Sequence, residues 1–150
     1  MAPRIAGWRE HVHLPELGLD LVAKLDTGAR TSAIDAREAT LDGAGHAMRF
    51  WAPSDRLGSD GTWVEAPYVG TRWVKDSGGH GAMRPVIRTD VLIGGERFSI
   101  EASLADRGGM THRMLLGRSA LRGRFVVDPG LAHVFADPVV SLRPFALREV

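Results

Sequence analysis

Glycine and proline interrupt this chain so often that no long helix fits between the breaks: 18 glycines and 8 prolines fall within 150 residues. The segments between them are short and alternate apolar with polar residues, the period of a strand with one buried face. Leu19 to Leu25 puts Leu19, Leu21, Ala23 and Leu25 on one face and Asp20, Val22, Lys24 and then Asp26 on the other. Phe98 to Leu104 directs Phe98, Ile100, Ala102 and Leu104 inward and Ser99, Glu101 and Ser103 outward. Val86 to Ile93 is rich in β-branched residues and stops at Gly94-Gly95, a hairpin signal. Phe125 to Gly130 followed by Ala132 to Phe135 reads as another hairpin, turned at Asp128-Pro129-Gly130. Helix is confined to a turn or two over Arg118 to Arg122, after Gly117. Pro53 to Thr62 and Asp76 to Gly81 read as mobile loops. Many short strands and almost no helix predict an all-β barrel or sandwich.

The length suits one domain, residues 1–150, with a core of its own. Lys and Arg number 19 against 18 Asp and Glu, a net charge of +1. That balance argues against a nucleic-acid partner, which calls for a basic footprint. The chain has no cysteine, which excludes disulfides, CxxC zinc sites and thiol catalysis. No apolar run approaches the ~20 residues of a membrane helix, and Met1 to Trp8 has no signal-peptide core. The expectation is a cytoplasmic protein with no membrane partner. The basic residues are 17 Arg and only two Lys, Lys24 and Lys75. Arginine grips carboxylate or phosphate bidentately; a codon-biased genome produces the same excess.

Two segments carry the chemistry. The first is Lys24-Leu25-Asp26-Thr27-Gly28-Ala29-Arg30-Thr31-Ser32-Ala33. A strand delivers Asp26 to its end, Gly28 permits a tight turn, and the hydroxyls of Thr27 and Ser32 can lock the loop. Alone, this is also a surface Asp-Thr-Gly turn. The second is Met114-Leu115-Leu116-Gly117-Arg118-Ser119-Ala120-Leu121, an apolar strand and a glycine opening a short helix. Together, an early Asp-Thr-Gly-Ala loop and a late Leu-Leu-Gly-Arg segment resemble the two halves of an aspartic-peptidase scaffold.

The chain resembles the retropepsin-like proteins, related to RimK, that go by the name ATP-dependent zinc proteases. The resemblance runs through Gly7-Trp8-Arg9-Glu10, Leu14-Pro15-Glu16-Leu17 and Lys24 to Ser32. It continues through Arg84-Pro85-Val86, Glu101 to Arg107, Met110, Met114 to Leu121 and Val127-Asp128-Pro129. It implies a closed acid-protease β-barrel with one short helix after the Leu-Leu-Gly-Arg segment. Retropepsins carry one Asp-Thr-Gly per chain and complete the site by dimerising. Here the triplet is Asp26-Thr27-Gly28, with no second one, so a homodimer would have to bring two copies of Asp26 together. Their like charges would make the pair share a proton. One carboxylate would activate water and the protonated one would polarise the scissile carbonyl.

Viral retropepsins carry an acidic residue directly after Asp-Thr-Gly-Ala, paired with the arginine of the Gly-Arg segment. Here that position is Arg30, a like charge to Arg118, and each needs a counter-charge. Glu101, Asp106 and Asp128 are internal candidates; a substrate carboxylate is another. Lys24, Arg30, Ser32, Arg84, Arg107 and Arg118 are the expected substrate-binding residues, with Arg113 nearby. The resemblance points the same way, because these proteins are associated with ligases that add glutamates to protein C-termini. The expected substrate is therefore an acidic or glutamate-tailed peptide. The bland alternative is a set of surface ion pairs.

No HExxH or HxxEH pattern supports zinc, and no cofactor is expected. His11 and His13 lie on one face of a strand and can share a metal; His46, His80, His112 and His133 are scattered. No GxxxxGK[ST] loop supports ATP. Gly78-Gly79-His80-Gly81 reads as a flap over substrate or as a plain connection. Trp8, Trp51, Trp63 and Trp73 are expected in the core and at a dimer contact. Three readings remain: an aspartic peptidase using Asp26, a non-catalytic module binding glutamate-rich tails, and a zinc peptidase with Asp26 as ligand or base.

Overall fold

Alternation becomes burial along the strand that ends at Asp26: Leu19, Leu21, Ala23 and Leu25 are buried while Asp20, Val22 and Lys24 are not. The structure is a computed structural model, and it describes residues 2–54, 61–75 and 78–137. Its strands are β1 (Arg4–Gly7), β2 (Arg9–Leu14), β3 (Leu19–Leu25), β4 (Ser32–Asp35), β5 (Arg37–Leu41) and β6 (Ala47–Ala52). They continue as β7 (Thr62–Lys75), β8 (Gly81–Ile93), β9 (Glu96–Ala105), β10 (Met114–Leu116) and β11 (Phe125–Asp128), with one helical turn, α1 (Arg118–Leu121).

Six strands form a closed barrel in the order β2-β3-β10-β4-β9-β8, and His13 opposite Leu92 joins β8 back to β2. Closure removes the open edges that a sheet of this length would expose. The barrel is mixed. The short β10 lies between β3, to which it is parallel, and β4, to which it is antiparallel, so the ends of β3 and β10 come together. Beyond the barrel, β8 and β7 form a long hairpin, and β6 and β5 extend it. β7 changes partner at an irregularity between Tyr68 and Gly70. Its first half packs Val64 and Ala66 with Met48 and Phe50 of β6 onto the same core as Val12, Leu21, Ile34, Ile87 and Leu116. The Gly94-Gly95 signal becomes a two-residue turn between β8 and β9. Both glycines have positive φ, 59° and 80°, as such hairpin turns demand.

Several expectations change. Ser103 is buried rather than outward and donates its hydroxyl to the Ser32 carbonyl at 3.3 Å. The segment after Asp128-Pro129-Gly130 does not fold back on β11. β11 pairs in parallel with β1, and the chain instead runs along the start of β2, where Trp8 N–H donates to Leu131 O and His133 N–H to Arg9 O. The cause is Glu10. Its carboxylate is fully buried and accepts N–H groups from Gly7, Val134 and Phe135 at 2.8, 2.9 and 3.1 Å. A buried charge needs such donors, and the segment supplies two of them. The tryptophans do not form the core: Trp8 and Trp51 are half-buried, Trp63 and Trp73 exposed. Of the two expected loops, residues 55–60, 76 and 77 lie outside the described residues. Among the described residues no helix is long and apolar enough to cross a membrane.

Candidate active site

β3 ends at Leu25, and the next N–H, that of Asp26, donates to Leu116 O of β10 at 2.8 Å. Asp26 therefore sits where two parallel strands stop side by side. Gly28 N–H turns back onto Asp26 Oδ1 at 2.9 Å, and Ala29 N–H onto Asp26 O at 3.2 Å. One carboxylate oxygen is thus held by its own loop. The other, Oδ2, lies 3.9 Å from Lys24 Nζ, and the side chain keeps 28% of its exposure. A carboxylate anchored on one oxygen and open on the other is able to take a proton from water.

The second segment grips this loop. Arg118 N–H donates to Ala29 O at 2.8 Å, Ser119 N–H to Arg30 O at 3.1 Å, and Arg118 Nη1 to Thr27 O at 3.1 Å. Gly117 N–H donates to Ser32 Oγ at 3.2 Å. Gly117 has to be glycine here: a Cβ would stand 2.5 Å from Thr31 O and 2.6 Å from Thr31 C.

The six expected substrate contacts separate on this frame. Lys24 is beside Asp26. Ser32 is fully buried and locks the two loops together, so it faces no ligand. Arg118 is exposed and bonded to Thr27 O; Arg30 is exposed, with no ion pair among the described residues. Arg84 stands opposite Arg72 in the β7–β8 ladder, and among the described residues no hydrogen bond or ion pair ties it to the Asp26 loop. Arg107 is half-buried. Burial pulls its pKa below the usual guanidinium value, against the opposing carboxylates of Asp35 and Asp26. None of the proposed counter-charges serves Arg30 or Arg118. Glu101 pairs with Arg72 at 2.8 Å and Arg88 at 3.3 Å, and the Arg72 hydrogen bond holds its carboxyl below the usual range. Asp106 lies 3.3 Å from Arg37, and Asp128 accepts Gly130 N–H. Exposure is the reason: water solvates both arginines, so no buried partner is required.

Sequence reasoning passed over Asp35. Its side chain is fully buried, Oδ2 faces Arg113 Nη1 at 2.9 Å and Arg37 Nη2 at 3.4 Å, and Oδ1 accepts Arg107 N–H at 2.8 Å. The only signal was Arg37 two residues on. The histidine pair does not converge as a metal set. His13 bonds Asp20 at 2.7 Å, whereas His11 packs on His133 with ring centroids 4.4 Å apart. Among the described residues no three His, Asp or Glu side chains group as metal ligands. Among the described residues these side chains do not form the three- or four-ligand set that zinc takes. Gly78, Gly79 and His80 lie at the tip of the β7–β8 hairpin.

The family described as RimB-like, retropepsin-like aspartic endopeptidase RimB, matches residues 5–138. The chain belongs to that family. Among curated proteins it is similar to a probable alpha-L-glutamate ligase of Parasynechococcus marenigrum, 36% identical over 137 residues. That match covers 89% of this chain and 29% of the relative. A second probable alpha-L-glutamate ligase, from Desulfotalea psychrophila, is 35% identical over 143 residues, covering 87% of this chain and 29% of that protein. The chain thus spans less than a third of the curated relatives it matches. Among solved structures, a Legionella pneumophila protein of unknown function superposes with a TM-score of 0.72. It is 29% identical, and the match covers 87% of this chain and 97% of that one.

Proposed function

We propose that this protein is an aspartic peptidase that hydrolyses peptide bonds in acidic, glutamate-rich protein tails, working as a homodimer that joins two copies of Asp26. The observation that carries this reading is the anchored, half-open Asp26 carboxylate at the end of β3, laced to the Gly117-Arg118 segment. In the dimer one ionised Asp26 takes a proton from water, and the hydroxide attacks the carbonyl carbon. The partner's Asp26, protonated, donates to the carbonyl oxygen. The tetrahedral intermediate collapses by breaking the C–N bond as the leaving nitrogen takes a proton, giving a carboxylate and an amine.

The acidic substrate follows from the charge around Asp26. Lys24 is at 3.9 Å, Arg118 is bonded to Thr27 O, and Arg107 is within electrostatic reach. The curated relatives add support, because a stretch like this chain occurs within longer proteins named for glutamate ligation. A hydrolase that removes what such a ligase adds needs the same recognition of repeated carboxylates.

The test is cleavage of peptides ending in several glutamates, near neutral pH, read by mass spectrometry. Asp26→Asn is expected to lower kcat about a thousandfold, and EDTA to change nothing. Activity lost to EDTA and restored by zinc would give the chemistry to a metal. Binding of the peptide without any cleavage would leave a recognition module.

A further inference from the structure

The cationic groups around Asp26 are not equivalent. Lys24 is paired with Asp26 itself, Arg118 is occupied by the Thr27 carbonyl, and Arg30 stands in water. Arg107 is held from two sides. Its main-chain N–H donates to Asp35 Oδ1 at 2.8 Å and its Nε to His112 O at 3.0 Å. Neither of its Nη groups has an acceptor among the described residues. The guanidinium is half-buried and lies in the field of both Asp35 and Asp26.

The anchor beneath it is built. Asp35 is fully buried, and its lone pairs take Arg113 Nη1, Arg37 Nη2 and Arg107 N–H. Arg37 Nε lies a further 3.3 Å from Asp106. Two guanidinium groups, those of Arg37 and Arg113, thus meet two carboxylates, Asp35 and Asp106, while Arg107 reaches Asp35 through its main-chain N–H alone. Asp26 has Lys24 beside it, so one positive charge stays uncompensated, and it belongs to the group with the open Nη edge. A planar guanidinium edge fits a carboxylate with two parallel hydrogen bonds.

We infer that Arg107 reads a carboxylate of the bound acidic tail, and that Asp35 is its positioning residue, fixing the 106–113 loop that carries it. This rests on the acidic-tail reading above and adds which residue selects the acid. His112 takes part through its carbonyl, and its ring packs edge-on against Trp8 with centroids 5.6 Å apart, which steadies the far end of the same loop.

The experiment compares two peptides that differ only in tail, glutamates in one and glutamines in the other. Cleavage is followed with the wild-type chain, and binding by fluorescence anisotropy in an Asp26→Asn background. Wild type is expected to favour the glutamate tail. Arg107→Gln should raise KM for it roughly 10- to 100-fold, and the ratio of kcat/KM between the glutamate and glutamine tails should fall by a similar factor. Asp35→Asn should lose the same preference, and the double variant should lose no more than either single one. A general loss of packing would instead lower both peptides together, and that result overturns the role given to Asp35. If Asp35→Asn gives no cooperative melt, Arg113→Gln removes an anchor of Asp35 without touching Arg107. Undiminished glutamate preference in that variant also overturns the positioning role. Equal wild-type affinity for the two tails, or an unchanged preference in Arg107→Gln, overturns the inference. If no peptide is cleaved but selective binding is seen and is lost in both variants, the peptidase reading fails and this inference stands.

Discussion

Asp26 and Gly117 enter the proposed site for different reasons. Asp26 has the open oxygen; Gly117 has the space. Because a Cβ at Gly117 would meet main-chain atoms of Thr31 at 2.5–2.9 Å, no side-chain rotation relieves the clash. Gly117→Ala is expected to cost at least about 2 kcal/mol, a melting temperature lower by roughly 4–8 °C. It should also lower the proposed peptidase activity by pushing the Asp26 loop off its hydrogen bonds. Calorimetry on the variant checks this, and an unchanged melting temperature would show that the loop yields freely. Both residues were legible as motif positions. Ser32 was legible only as a hydroxyl near Asp26. Its burial depends on Gly117 and Ser103 arriving from strands 71 or more residues away, which no local pattern reports.

At the scale of elements, period-two alternation located β3 and β9, each of which buries one face on the core, and β-branched residues ahead of Gly94-Gly95 located the second half of β8. Alternation misread the segment after β11, whose apolar residues resemble a strand but whose N–H groups belong to the buried Glu10 carboxylate. That segment carries His133, stacked on His11. Burial, then His11 and Arg9, pull the His133 pKa below the usual histidine value, and Glu10 opposes them weakly. The folded chain therefore holds its proton less tightly than the unfolded chain. The stability tied to His133 is complete above the ordinary histidine value and is lost as pH falls through the lowered one. Melting temperatures at pH 8 and pH 5 should differ more for wild type than for His133→Asn. Asparagine is the fitting replacement, since His133 has φ 52° and asparagine tolerates that region. An equal acid-side loss in both proteins would place the effect on another group.

The whole molecule is a barrel with a single Asp26, and the proposed chemistry needs two. Mixing equal amounts of wild type and Asp26→Asn, then allowing exchange, is expected to reduce activity per wild-type chain to roughly half. Random assortment in a two-fold dimer puts half the wild-type chains with a dead partner. Activity per chain should also fall on dilution, in step with the mass seen by sedimentation. Unchanged activity per wild-type chain in the mixture would make one Asp26 sufficient and end the dimer mechanism.

The spacing of apolar residues and of glycines, read along the chain, determined that this protein is all-β and that Asp26 and Gly117 lie at strand ends; it did not show that β7, β8 and β9 run to 14, 13 and 10 residues. Strand class and strand ends are local properties, set by side-chain period and backbone sterics. Only the tertiary structure decided which charges meet. Asp35 with Arg37, Arg107 and Arg113, Glu10 with residues 134 and 135, and Glu101 with Arg72 and Arg88 are all joined by barrel closure and strand order. A charge finds its partner by distance in space, and a mixed barrel brings together residues from opposite ends of the chain.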